Sequence, residues 1–137
     1  MLRIALCDDN RQQRSATGKL LLDYGAARPH LAVRVSVFSS GLEVLDAAEE
    51  AGDFDLYVLD VVMPGLSGIQ LGMRLREVGS VSPIIYLTVS PEYAVDSYAT
   101  RAFHYLMKPV QPETLFQVLD EAVAALEKKR KACIAVK

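Results

Sequence analysis

The chain, 137 residues long, is predicted to fold as a doubly wound parallel α/β domain of five strand–helix units. Two observations predict this. Short apolar runs alternate with amphipathic segments along nearly the whole length, the order of a parallel sheet wound with crossover helices. The runs are also continuously apolar, as strands are when both sheet faces are covered. Composition agrees: 51% of residues are hydrophobic and 23% charged, which suits one globular domain with a real core.

The elements follow in order. Leu2–Cys7 is the first predicted strand, and the helix after Asp9-Asn10 carries Leu20, Leu21 and Tyr24. Val33–Phe38 is the second. After it, Ser40-Gly41-Leu42-Glu43 reads as a capping box, Ser40 covering a free N–H and Glu43 reaching back. Leu56–Leu59 is the third, and Ser67 then precedes Leu71, Leu75 and Val78, which share a face at helical spacing. Ile84–Thr88 is the fourth. Ser90-Pro91 places a cap before a proline at the first helical position, predicting a helix through Tyr98. His104–Met107 is the fifth, and Pro112-Glu113 opens a last helix striped by Phe116, Leu119, Val123 and Leu126. Lys128-Lys129-Arg130-Lys131 reads as a solvated basic run complementing the dipole at that helix's end. The tail Ala132–Lys137 reads as a further helical turn or as the first strand of a second domain.

A net charge of −2 gives no whole-chain case for nucleic-acid binding. Two cysteines, Cys7 and Cys133, make no disulfide framework, and Cys7 lies inside a predicted buried strand. No apolar stretch reaches the roughly 18 residues of a membrane span, and no signal-peptide layout precedes the first strand. A cytoplasmic location is the expectation.

Four features stand at the carboxyl ends of predicted strands: Asp8-Asp9, Asp60, Thr88 and Lys108-Pro109. Parallel sheets bind ligands along that edge. Asp8, Asp9 and Asp60 held close together repel one another unless a cation intervenes. Mg²⁺ suits them, since it takes oxygen ligands from one or two carboxylates together with a substrate phosphate. Asp9 and Asp60 are expected as direct ligands, Asp8 as acting largely through water, and Val62 as offering its backbone carbonyl. Asp60 is then the expected nucleophile, because aspartate carboxylates form covalent phosphoryl intermediates. Lys108 is expected to share the phosphoryl charge, and the Thr88 hydroxyl to hydrogen-bond a phosphoryl oxygen. Singly, each feature has a plainer reading. Asp8-Asp9 can cap a helix, Asp60 can start the turn into Met63-Pro64-Gly65, Thr88 can be a strand residue, and Lys108 a surfacing strand end. Their convergence on one sheet edge favours the joint reading.

Asp8-Asp9, Leu59-Asp60-Val61-Val62-Met63-Pro64-Gly65-Leu66-Ser67-Gly68, Leu87-Thr88 and Tyr105-Leu106-Met107-Lys108-Pro109 together resemble the receiver domain of two-component response regulators. The resemblance covers residues 1 to about 128. It implies a CheY-like, flavodoxin-like (βα)₅ fold with strand order 2-1-3-4-5. It further implies phosphorylation of Asp60 by a sensor histidine kinase, Mg²⁺ on Asp8 and Asp9, and Lys108 against the phosphoryl group. Thr88 and Tyr105 become a switch pair, and Pro109 a candidate for a cis peptide. The stretch Thr88–Ala99, with its Tyr93-Ala94 step, is similar to receivers attached to LytTR-type DNA-binding domains. Residues 129–137 then read as a linker or the start of a C-terminal effector, through which alone DNA would be contacted. Phosphorylation is expected to drive homodimerisation through Glu92–Tyr98 and Thr114–Leu126.

Other classes fit less well. A flavin-mononucleotide binder needs a phosphate-cradling loop after the first strand, where Asp8-Asp9-Asn10 repels an anion. A phosphatase with an aspartate nucleophile usually has a second carboxylate two residues on, where Val62 stands. A turnover enzyme is therefore not expected. A phosphorylation-independent docking module or a stand-alone CheY-like signalling protein are the alternatives within the fold. Apolar Val62 and short Ser90 predict slow self-dephosphorylation, since neither orients an attacking water. Tyr57, Tyr86, His30 and His104 read as packing or strand-end residues.

Overall fold

The computed structural model describes residues 1–135, with side chains through Lys131. Five parallel strands, β1 (Leu2–Cys7), β2 (Val33–Phe38), β3 (Leu56–Leu59), β4 (Ile84–Thr88) and β5 (His104–Met107), stand in the order β2-β1-β3-β4-β5. All have the predicted bounds. The helices are α1 (Arg11–Ala27), α2 (Gly41–Ala51), α3 (Gly68–Glu77), α4 (Ala94–Ser97) and α5 (Pro112–Ala135), with single 3-10 turns at Pro29–Leu31 and Tyr98–Thr100.

Strand periodicity divides the core. Side chains alternate across a sheet, so Leu2, Ile4 and Leu6 of β1 join Leu56, Val58, Ile85 and Leu87 on one face. There they meet Leu21 and Tyr24 of α1 and Leu115, Leu119 and Ala122 of α5. Ala5, Cys7, Tyr57, Leu59, Ile84 and Tyr86 fill the other face, against Val44 of α2 and Leu71 and Leu75 of α3. Continuous burial holds for β3 and β4, and for β1 apart from the partly buried Arg3. At the sheet edges it does not: β2 is only half-buried, with Val37 49% exposed, and β5 is intermediate along most of its length. An edge strand has a neighbour on one side only, so fewer of its side chains are covered.

Several local expectations are corrected. Ser40 does cap α2, accepting from the Glu43 N–H at 3.3 Å, but the Glu43 carboxylate turns to the Ser39 hydroxyl at 2.7 Å instead of reaching back. The reciprocal capping box is at α3, between Ser67 and Gln70. Val78 does not extend the α3 stripe: it is the C-cap residue and 76% exposed. The helix predicted from Pro91 shrinks to the single turn of α4, with no side-chain cap. Hydroxyls explain its ending. Ser97 Oγ donates to the Ala94 carbonyl at 2.6 Å and Thr100 Oγ1 to the Ser97 carbonyl at 2.7 Å, competing for acceptors that helix N–H groups would use. The basic run 128–131 is exposed, as expected, but does not close a helix, because α5 continues through Ala135. The tail is therefore helical as far as Ala135. Val136 and Lys137 of the expected effector strand lie outside the described residues.

Candidate functional site

At the carboxyl edge of the sheet, β1 and β3 lie side by side and carry their aspartates to the same height. The Asp60 N–H donates to the Cys7 carbonyl at 2.9 Å, which ties the end of β3 to β1. Asp60 Oδ1 accepts from the Val61 N–H at 2.8 Å. The start of α3 closes on this strand end. A Cβ at Gly68 would lie 2.0 Å from the Asp60 carbonyl oxygen, so the approach requires glycine. Gly65, at φ +73°, makes the turn between them.

Neither aspartate of the first pair caps α1. Asn10 does, its Oδ1 accepting from the Gln13 N–H at 3.0 Å. Asp8 is buried at 2% exposure, and its Oδ1 accepts from the Asn10 N–H at 2.9 Å, while Asp9 is exposed. Asp8, Asp9 and Asp60 each offer a carboxylate oxygen within 4.8 Å of the others. Burial raises the Asp60 pKa above the usual carboxylate range; Lys108 opposes the rise, and Asp8 adds to it. An all-oxygen donor set with excess negative charge fits a hard divalent cation. Cys7, directly behind, does not join it. Burial first, and then the charge of Asp8, push its thiol up to about 12, so it stays protonated and inert.

Lys108 is brought across from the end of β5, its N–H donating to the Thr88 carbonyl at 2.8 Å. Its ammonium sits 2.6 Å from Asp8 Oδ2 and 3.8 Å from Asp60 Oδ2, with the side chain only 10% exposed. The Lys108–Pro109 peptide is cis. Thr88 is fully buried, and its hydroxyl helps to hold the Asp60 pKa down. The two are therefore near each other across β3 and β4. Val62 lies in the turn beyond Asp60, its side chain 51% exposed.

Tyr105 and Thr88 are linked through a residue whose side chain sequence reasoning discounted. The Ser90 N–H points to Thr88 Oγ1 at 3.4 Å, and the Ser90 carbonyl accepts from the Tyr105 hydroxyl at 2.5 Å. The backbone matters here, so no side-chain motif announces it. Gln13 was also missed: its Oε1 accepts from Lys108 Nζ at 2.6 Å. Its only sequence signal is its place one turn into the helix that follows the acidic pair. The remaining flagged residues stay away from the site. Tyr57 and Tyr86 are buried, the latter donating to Thr100 Oγ1 at 2.8 Å, and His104 Nε2 lies 3.2 Å from Glu121 Oε2 on the surface. His30 lies in the 3-10 turn after α1.

The chain resembles known proteins in sequence and in fold. The family model described as the response regulator receiver domain matches residues 4–120. The positive alginate biosynthesis regulatory protein of Pseudomonas aeruginosa is 38% identical over 68 residues, covering 50% of this chain and 27% of that protein. The uncharacterized transcriptional regulatory protein YkoG of Bacillus subtilis is 40% identical over 91 residues, 65% of this chain and 40% of its own length. The chain thus spans less than half the length of these curated relatives. Among solved structures, the response regulator TrrA of Thermotoga maritima, in complex with Mg²⁺ and beryllofluoride, superposes with a TM-score of 0.76. It is 26% identical, with 89% of this chain and 99% of that one covered. Fold, strand order and family match agree: this chain belongs to the response regulator receiver domains, and its fold is CheY-like.

Proposed function

We propose that Asp60 reversibly accepts a phosphoryl group from the phosphohistidine of a sensor histidine kinase, and that the modified domain signals through a changed surface rather than by turnover. The observation that carries this is the placement of Lys108 Nζ 3.8 Å from Asp60 Oδ2, beside a cluster of three carboxylates on the ligand edge. In the transfer, an Asp60 carboxylate oxygen forms a bond to phosphorus as the P–N bond of the donor breaks, and the donor imidazole, already protonated at its other ring nitrogen, keeps the P–N electron pair and leaves neutral. Asp8, Asp9, Asp60 and the Val62 carbonyl would hold Mg²⁺, which when bound supplies charge neutralisation to the transferring oxygens. Lys108 takes a second share of that charge. The Thr88 hydroxyl hydrogen-bonds a phosphoryl oxygen, and its shift is passed to Tyr105 through the Ser90 backbone, repacking α4, β5 and α5.

The same reading extends outward. The Thr88–Ala99 stretch supports a regulator of LytTR type, and the partial coverage of the curated relatives supports an effector domain beyond residues 129–137 that contacts DNA. No helix among the described residues is long and apolar enough to cross a membrane, which accords with a cytoplasmic regulator.

Incubation with acetyl phosphate and Mg²⁺, followed by intact mass, tests the acceptor. One added phosphoryl group, lost in Asp60→Asn, is the expected result. A folded protein that gains none is a docking module instead. Chasing the phosphoprotein without donor tests the half-exposed Val62: the expected lifetime is many minutes or longer, and Val62→Asn, which can orient water, shortens it by roughly tenfold. A wild-type lifetime of seconds refutes the assignment to Val62.

A further inference from the structure

We propose that Gln13 is a positioning residue for Lys108, holding its ammonium where a phosphoryl group on Asp60 meets it without drawing on its charge. The inference rests on the phosphoacceptor reading of Asp60.

Lys108 Nζ has three hydrogens and no lone pair, so every hydrogen-bonded neighbour must act as an acceptor. Two do at 2.6 Å, Asp8 Oδ2 from the end of β1 and Gln13 Oε1 from the first turns of α1. That leaves one N–H, on an ammonium 3.8 Å from Asp60 Oδ2, for whatever oxygen Asp60 comes to carry. The two anchors differ in kind. Asp8 is an anion and belongs to the carboxylate cluster, so its hold on Lys108 weakens when its charge is shared with a cation. The Gln13 amide is neutral and lies outside that cluster. Its grip is independent of a cation, and it leaves the full positive charge for the phosphoryl oxygens.

Gln13 is itself well placed. Its backbone N–H is fixed by the Asn10 cap at 3.0 Å, so the residue starts from a defined helical position. Its side chain is half-buried and lines a groove of about 340 Å³ together with Thr17, Leu20, Leu87 and Pro109. Because Gln13 is partly exposed, water can partly replace its amide, so losing Gln13 should cost less than losing Lys108.

The test is a double-mutant cycle of Gln13→Leu and Lys108→Ala, run on two readouts. Leucine is a good helix former and is apolar like most of the groove lining. In metal-free protein, the two changes should be coupled by roughly fivefold in the folding constant from urea titration, within the range of contacting pairs. Gln13→Glu, which keeps an oxygen at the same reach, should restore that coupling. With Mg²⁺ and acetyl phosphate, Gln13→Leu should slow phosphorylation about fivefold while Mg²⁺ affinity, by calorimetry, changes less than twofold. In the Lys108→Ala background it should have no further effect. Independent, multiplying effects overturn the proposal. So does an unchanged rate in Gln13→Leu, or a matching loss of Mg²⁺ affinity, which would make Gln13 a support of the carboxylates. If wild-type protein takes no phosphoryl group, the acceptor reading fails, while the metal-free cycle still decides whether Gln13 holds Lys108.

Discussion

Asp60 is a carboxylate that the fold makes uncomfortable. Burial, helped by Asp8, holds its pKa above the unfolded value, so the folded protein binds this proton more tightly than the unfolded chain does. Stability from the group is therefore complete below the unfolded pKa, about 3.9, and is lost as pH rises through the raised folded value. Asp60→Asn cannot ionise and avoids the loss. Metal-free Asp60→Asn should accordingly unfold at higher urea than wild type at pH 7, and the gap should narrow at pH 4. Equal midpoints at pH 7 would mean that Lys108 already compensates the charge in full. At this scale the acidic residues, Thr88 and Lys108 were readable because each is a chemistry-bearing side chain that ends an apolar run. Ser90 was not, since its part is played by the backbone N–H and carbonyl between Thr88 and Tyr105.

The elements show where local signals suffice and where they compete. Ser67 and Gln70 form their capping box from residues in one turn, and α3 starts where they say. Ser90-Pro91 carries an equally good start signal, yet α4 begins only at Ala94, and the Ser97 and Thr100 hydroxyls then capture its carbonyls. A short helix of this kind has few backbone bonds to lose, which suits the repacking proposed for this segment. The junction of β3 and α3 is the rigid counterpart. Because a Cβ at Gly68 meets backbone rather than a flexible side chain, Gly68→Ala should destabilise the fold by about 2 kcal/mol or more. It should also weaken phosphorylation, because Asp60 is the residue displaced. Urea titration with a parallel acetyl phosphate assay checks both. A fully stable, fully reactive Gly68→Ala would show that α3 can slide away from Asp60 freely.

For the whole molecule, the two core layers leave an exposed apolar surface on the α4 side: Val95 is 76% exposed, Tyr98 79% and Met107 42%. The proposed phosphorylation acts on this face through Tyr105. Beryllofluoride with Mg²⁺ should therefore shift the mass measured by light scattering from monomer towards dimer, and Tyr98→Asp should abolish the shift. A mass unchanged by beryllofluoride, in protein shown to bind it, overturns the homodimerisation expected from the sequence.

The sequence by itself determined the five strands to the residue, the five-unit α/β architecture and the residues of the carboxyl edge. These depend on local apolar runs and on a topological rule, both independent of long-range detail. Tertiary structure decided that Asn10 and not Asp8 caps α1, that Lys108 rests between Asp8 and Gln13, that Val78 is outside the core, and that α4 is a single turn. Each of these is a competition among several available partners. For Lys108 the winning partners come from segments far apart in the chain, at distances that exist only once the sheet is assembled, whereas at Asn10 and at the end of α4 neighbouring groups compete locally and a motif names the contenders without ranking them.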